Sequence, residues 1–128
     1  MKFQADLTNN TATVQAYGED WVNINGQIHR SSVLVSSSGQ QQAWSASQFE
    51  TLSADAFAQT LALGTEPPEL VVFGFGTRTR FPKPEWLQSL MSARIGLEAM
   101  DLGAACRTFN ILSGEGRRVV LAVLIEAP

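Results

Sequence analysis

Two textures of hydrophobic patterning divide this chain. From Thr11 to about Trp44, apolar and aromatic positions sit in short runs between turn signals, as in ATVQAYG, DWVNING and QIHRSSVLVSSSG, which predicts β-strands. Gly18 and the pair Asn25-Gly26 mark the turns. Val33, Leu34 and Val35 are consecutive, so QIHRSSVLV is expected to form one strand covered on both faces. His29 falls near its polar beginning, with no carboxylate or second ligand close in sequence, and is expected at the rim. The polar SSSGQQQAWSAS that follows is either a hairpin tip or an ordered crossover.

Beyond it the pattern changes to helical stripes alternating with continuous apolar runs. Ser53 is placed as the N-cap of a helix from Ala54 to about Leu63, with Phe57 and Leu61 four apart on one face and Gly64 as its stop. Pro67 and Pro68 forbid further helix and lead into the strand ELVVFGF. Pro84 opens a second helix whose stripe is Leu87, Leu90 and Met91, with Gly96 near its end. Leu97 to Met100 form a strand, Asp101 caps a helix from Gly103 to about Leu112, and RRVVLAVLIEA is a final buried strand. A β-α-β-α-β order predicts an α/β fold with helices on the faces of a sheet, and the N-terminal segments add strands or a second small sheet.

Length and composition narrow the picture. A chain of 128 residues holds one core of ordinary size, so one domain over residues 1–128 is expected, β-rich over about 1–45 and with its β-α-β-α-β core over about 53–126. At 45% hydrophobic and 16% charged residues the sequence is that of a folding chain. No apolar run approaches the roughly 20 residues that cross a bilayer, and MKFQADLTNN carries no apolar leader core. A cytoplasmic protein without membrane insertion is expected. One cysteine, Cys106, and one histidine, His29, exclude an internal disulfide and any metal site of several thiolates. No cofactor and no metal are expected, the carboxylates being few and irregularly spaced. Net charge is −3, and no nucleic-acid partner is expected. The charge is unevenly spread: seven acids and two bases stand up to Leu70, five acids and seven bases after it. That split either draws a charged partner or is ordinary surface charge.

Candidate chemistry gathers in the second half. In GFGTRTRF, Gly74 and Gly76 permit a tight turn that offers amides to an anion. Thr79 stands where a dinucleotide fingerprint needs its third glycine, and no lysine follows as in a P-loop. Arg78 and Arg80, two apart, would face one way on an extended segment and grip a carboxylate or phosphate, or else serve as charges on an exposed strand. A helical wheel of residues 103–112 puts Ala104, Ala105, Thr108, Phe109, Ile111 and Leu112 on a sheet-facing arc and Cys106, Arg107 and Asn110 on the other. A thiol early in a helix beside an arginine is placed where its pKa tends to fall. No base is at hand to manage its proton, so packing is the alternative role. Glu98, Asp101, Arg107, Asn110, Glu115, Arg117 and Arg118 either meet around a crevice at the strand ends or pair with one another.

The run Glu98, Met100, Asp101, then Ala105, Cys106, Arg107, Thr108, Asn110, and later Glu115 to Arg118 resembles the signature of a small α/β family. That family includes a mitochondrial assembly factor for respiratory complex I together with bacterial and archaeal members of unassigned role. Members typically read like E-x-M-D-T and A-C-R-T-Y-N, whereas this chain has Leu102 for the threonine and Phe109 for the tyrosine. The resemblance implies a single three-layer domain, a mixed central sheet flanked by helices, with additional N-terminal strands. It brings no reaction with it and implies a protein-interaction or assembly role, in a bacterial member, with the partner unidentified and the oligomeric state open. Two alternatives come from the residues. One is a small-molecule or anion site built on the Gly74 to Gly76 turn and the Arg107 helix. The other, weaker one is a cysteine-dependent enzyme. Trp44 or Trp86 are the aromatic residues expected on an interaction patch.

Overall fold

A mixed five-stranded sheet is the centre of the structure, a computed structural model that describes residues 11–127. In chain order the elements are β1 (Val14–Tyr17), β2 (Val22–Ile24), β3 (Gln27–His29), β4 (Val33–Ser36), β5 (Gln41–Ala43), a 3₁₀ turn at Phe49–Thr51, and α1 (Ala54–Ala58) running on as a 3₁₀ turn. There follow β6 (Leu70–Phe75), a 3₁₀ turn at Pro84–Leu87 leading into α2 (Gln88–Ser92), β7 (Gly96–Met100), α3 (Leu102–Gly114) and β8 (Val119–Leu124).

The central order is β5-β4-β8-β6-β7, with β7, β6 and β8 mutually parallel, β4 antiparallel to β8, and β5 antiparallel to β4 in turn. Strands β1, β2 and β3 form a separate antiparallel sheet. The expected single strand QIHRSSVLV is therefore two strands. Arg30 and Ser31 are exposed and break it, and the two parts enter different sheets. His29 ends β3 and bonds through Nε2 to Gln41 Oε1 at 2.7 Å. The polar stretch after β4 is the tip of the β4–β5 hairpin.

Period-two alternation sends each central strand's side chains to opposite faces, which creates two cores. On one face Val33, Val35, Val72, Val119, Leu121 and Val123 pack with α3 and with Val14, Val22 and Ile24 of the small sheet. On the other, Leu34, Val71, Phe73, Val120, Ala122 and Leu124 pack with the short helices and with Trp44, Phe49, Phe57 and Trp86. Trp44 meets its ring neighbours edge-on, 5.7 Å from Phe57 and 6.1 Å from Phe73. Trp44 donates its indole N–H to Ala56 O at 2.8 Å. Both expected patch tryptophans thus belong to the core, Trp44 being 5% and Trp86 9% exposed.

Local signals placed the helices and the packing revised their faces. Ser53 accepts from Ala56 N, capping α1, and Asp101 accepts from Ala104 N, capping α3. Leu90 is buried but Met91 is 62% exposed, so α2 is narrower in its apolar stripe than expected. Arg94 at φ 61, rather than Gly96, turns the chain out of α2.

Candidate functional site

The parallel strands β7, β6 and β8 end together, and an open cleft of about 810 Å³ lies just beyond their carboxyl ends. Open α/β sheets commonly place ligands there. Its apolar floor is Phe75, Leu102, Leu124 and Ile125. One wall is the β1–β2 turn, with Tyr17, Gly18, Glu19 and Asp20, and the other is the loop after β6, with Gly76, Thr77, Arg78 and Arg80. Asp101, Gly103 and Arg107 of the α3 N-terminal turns close the inner end, and Glu126, which accepts from Phe49 N, also lines the cleft.

Close approach of backbone builds the walls. The loop after β6 turns at Gly76, φ +69, whose carbonyl accepts from Leu102 N at 2.9 Å. That bond ties the loop to the start of α3. Strand β1 runs alongside α3. Asn110 clamps Val14 by donating from Nδ2 to its carbonyl and accepting its N–H on Oδ1, each at 2.9 Å. Ser113 donates to Ala12 O, and Arg107 Nη1 donates to the Tyr17 hydroxyl at 2.7 Å. A side chain at Gly103 would meet that hydroxyl at 2.8 Å, so the glycine makes room for Tyr17 at the cleft mouth.

These contacts correct the wheel reading of α3. Its second arc is only partly open to solvent: Arg107 is exposed, but Asn110 and Cys106 lie under β1, and Cys106 is 1% exposed within the core, in keeping with the packing role. Ile111, placed on the sheet side by the wheel, is 61% exposed. Two flanking layers, the central sheet and β1, set which faces of the helix are covered, and a wheel assumes one. The thiol is correspondingly the opposite of activated. Burial pushes the Cys106 pKa up from 9.0 to about 12, with Asp101 adding to the rise and Arg107 opposing it.

The sequence-derived candidates separate in space. Gly76, Arg78, Arg80, Asp101 and Arg107 line the cleft. Gly74 does not offer an amide to a ligand. It is a buried residue of β6, and a Cβ there would stand 2.6 Å from that of Ala105, so it lets α3 sit on the sheet. Glu98 is exposed on β7, the outer strand. Arg117 pairs with Glu69 at 3.2 Å, and Arg118 lies 3.6 Å from Glu66 and 3.7 Å from Glu69. Both arginines precede β8 and so lie at the end of the sheet opposite the cleft, and Glu115 caps the C-terminus of α3. The two loop arginines also differ. Arg80 bonds Glu50 at 3.0 Å and lies 4.0 Å over the Phe49 ring, whereas Arg78 is exposed and has no ion pair among the described residues.

Sequence reasoning missed the β1–β2 turn as a wall of the cleft, because Glu19 and Asp20 are separated from Arg78 by more than half the central sheet in sequence. It also missed Phe81, 75% exposed one residue beyond Arg80. The charge split between the halves of the chain was the available signal: the acidic wall comes from the first half and the basic one from the second.

A mixed sheet with helices on both faces, a small β-sheet laid over α3 and a cleft at the parallel strand ends define the class, and the sequence places the chain within it. Residues 14–124 match the family described as "Protein of unknown function (DUF498/DUF598)", and the chain belongs to that family. It is similar to the NADH dehydrogenase [ubiquinone] 1 alpha subcomplex assembly factor 3 of Homo sapiens, at 37% identity over 86 residues, and of Bos taurus, at 36%. Each match covers 66% of this chain and 45% of the relative, so the likeness spans under half the length of those proteins. Among solved structures, a Bordetella parapertussis protein superimposes with a TM-score of 0.82 at 34% identity, over 91% of this chain and 97% of its own. A Bordetella pertussis protein described as an Mth938-like domain gives 0.81 at 30%, over 99% and 94%. No helix among the described residues is long and apolar enough to cross a membrane.

Proposed function

We propose that this protein is a non-enzymatic interaction module that assists the assembly of other proteins, and that it works in the bacterial cytoplasm. Phe81 carries the reading. A phenylalanine left 75% exposed on the loop that walls the cleft, three residues from Arg78, which has no ion pair among the described residues, is the pairing of aromatic and arginine that concentrates binding energy at protein interfaces. The relatives named as assembly factors support the reading, and the Bordetella likenesses support a bacterial setting. The raised pKa of Cys106 counts against the thiolate chemistry that a cysteine-dependent enzyme would need.

The test is in-cell crosslinking followed by affinity capture of the wild type and of Arg78→Ser/Phe81→Ser, with thermal melts confirming that both fold. Recovery of a defined partner set that the variant loses supports the reading. An empty capture from abundant wild type, or the same set from both, overturns it.

A further inference from the structure

The charges around the cleft fall into two groups. Arg80 is held by Glu50, Arg107 by the Tyr17 hydroxyl, Asp101 by the α3 amide it caps, and Glu126 by Phe49 N at 2.9 Å. Each of these side chains is already oriented by that bond, although Arg107, Asp101 and Glu126 keep further donors or acceptor oxygens. Glu19, Asp20 and Arg78 have no hydrogen bond or ion pair among the described residues, and all three are exposed at the cleft mouth. They stand on opposite walls with opposite signs, above the floor of Phe75, Leu102, Leu124 and Ile125.

We propose that the cleft seats an extended segment of a partner protein that carries an acidic and a basic side chain on either side of a large apolar one. This deepens the interaction reading and rests on it. The acidic group meets Arg78, the basic group meets Glu19 and Asp20, and the apolar side chain covers the floor. Charge complementarity selects this occupant: a purely anionic ligand would gain Arg78 and face the acidic wall, and a cationic one the reverse. An opening of about 810 Å³ between loops that contribute both walls accommodates several residues of extended chain. A second copy of this chain is a poorer occupant, because it would have to present such a segment while its own mouth stayed covered.

The probe is a blocked heptapeptide, Gly-Ser-Glu-Leu-Lys-Ser-Gly, titrated into the isotope-labelled full chain and followed by backbone amide shifts. The charged peptide should move the amides of Glu19, Asp20, Thr77, Arg78 and Gly103. The analogue with Gln in place of both Glu and Lys should bind about five- to tenfold more weakly, as two partly exposed pairs imply. In Glu19→Lys/Asp20→Lys, an exposed turn variant, replacing only the peptide's lysine by glutamine should no longer weaken binding. Equal binding of charged and neutral peptides, shifts that map away from the cleft, or saturation of these amides by free glutamate or lysine with the peptides silent would overturn the proposal. Its failure is separable from that of the interaction reading: partners lost on Arg78→Ser/Phe81→Ser alongside indifferent peptides sink the cleft assignment alone.

Discussion

Single residues carry the distinction between packing and chemistry. The Cys106 thiol is neutral in the folded state up to about pH 12, whereas in the unfolded chain it ionises near its ordinary value of 9.0. The unfolded state then binds fewer protons above about pH 9, so the stability contributed by the neutral buried thiol is fully present below that pH and falls as pH rises towards 12. Denaturant midpoints should decline more steeply above pH 9 for the wild type than for Cys106→Ala, and parallel profiles would contradict a buried, unactivated thiol. The two close-approach glycines should respond differently. A methyl at Gly74 meets Ala105 Cβ, which is fixed to the helix backbone, and Gly74→Ala should cost about 1–3 kcal/mol. A methyl at Gly103 meets the Tyr17 hydroxyl at 2.8 Å and its ring carbons Cε1 and Cζ at 3.1 Å, all at the far end of a side chain 40% exposed, so Gly103→Ala should shift Tyr17 and cost less. Urea unfolding of both variants checks the order, and a larger loss at Gly103 would contradict it.

At the scale of elements, local signals were legible and layer assignment was not. The caps Ser53 and Asp101, the apolar runs of β6 and β8, and the order β-α-β-α-β were written in short-range pattern and stand in the structure. The faces of α3 were illegible because its second layer, β1, comes from nearly a hundred residues earlier, through Asn110 and Val14. For the same reason the cleft was half-read: Gly76, Arg78, Arg80, Asp101 and Arg107 came from motif and strand-end reasoning, while Tyr17, Glu19 and Asp20 needed the small sheet to be placed. Strand β7 pairs only with β6 among the described residues, and its outer edge carries the exposed Glu98. Antiparallel self-pairing about its midpoint would set Glu98 against its own copy, a like-charge contact that discourages edge-to-edge association. Glu98→Val should therefore raise the oligomeric fraction in light-scattering chromatography, and an unchanged elution would show that the charge is not what guards the edge.

The whole molecule sets an ion-paired end of the sheet against an open one. Both faces of the central sheet are packed, and the end of the sheet that precedes β8 is tied by the Arg117 and Arg118 pairs with Glu66 and Glu69. Charge that is unpaired among the described residues gathers instead at the carboxyl ends of the parallel strands, where the acidic first half of the chain meets the basic second half, and the exposed Phe81 follows on the loop after β6 without itself lining the cleft. The central claim is that this end is where partner proteins dock. A photo-crosslinking phenylalanine analogue placed in cells at Phe81, and in a separate strain at Ile28, tests it most directly, since Ile28 is 52% exposed on β3 of the small sheet and lies outside the cleft. Discrete adducts at position 81 and none at position 28 are the predicted result; adducts at 28 with position 81 silent would place the interaction surface elsewhere and contradict the account.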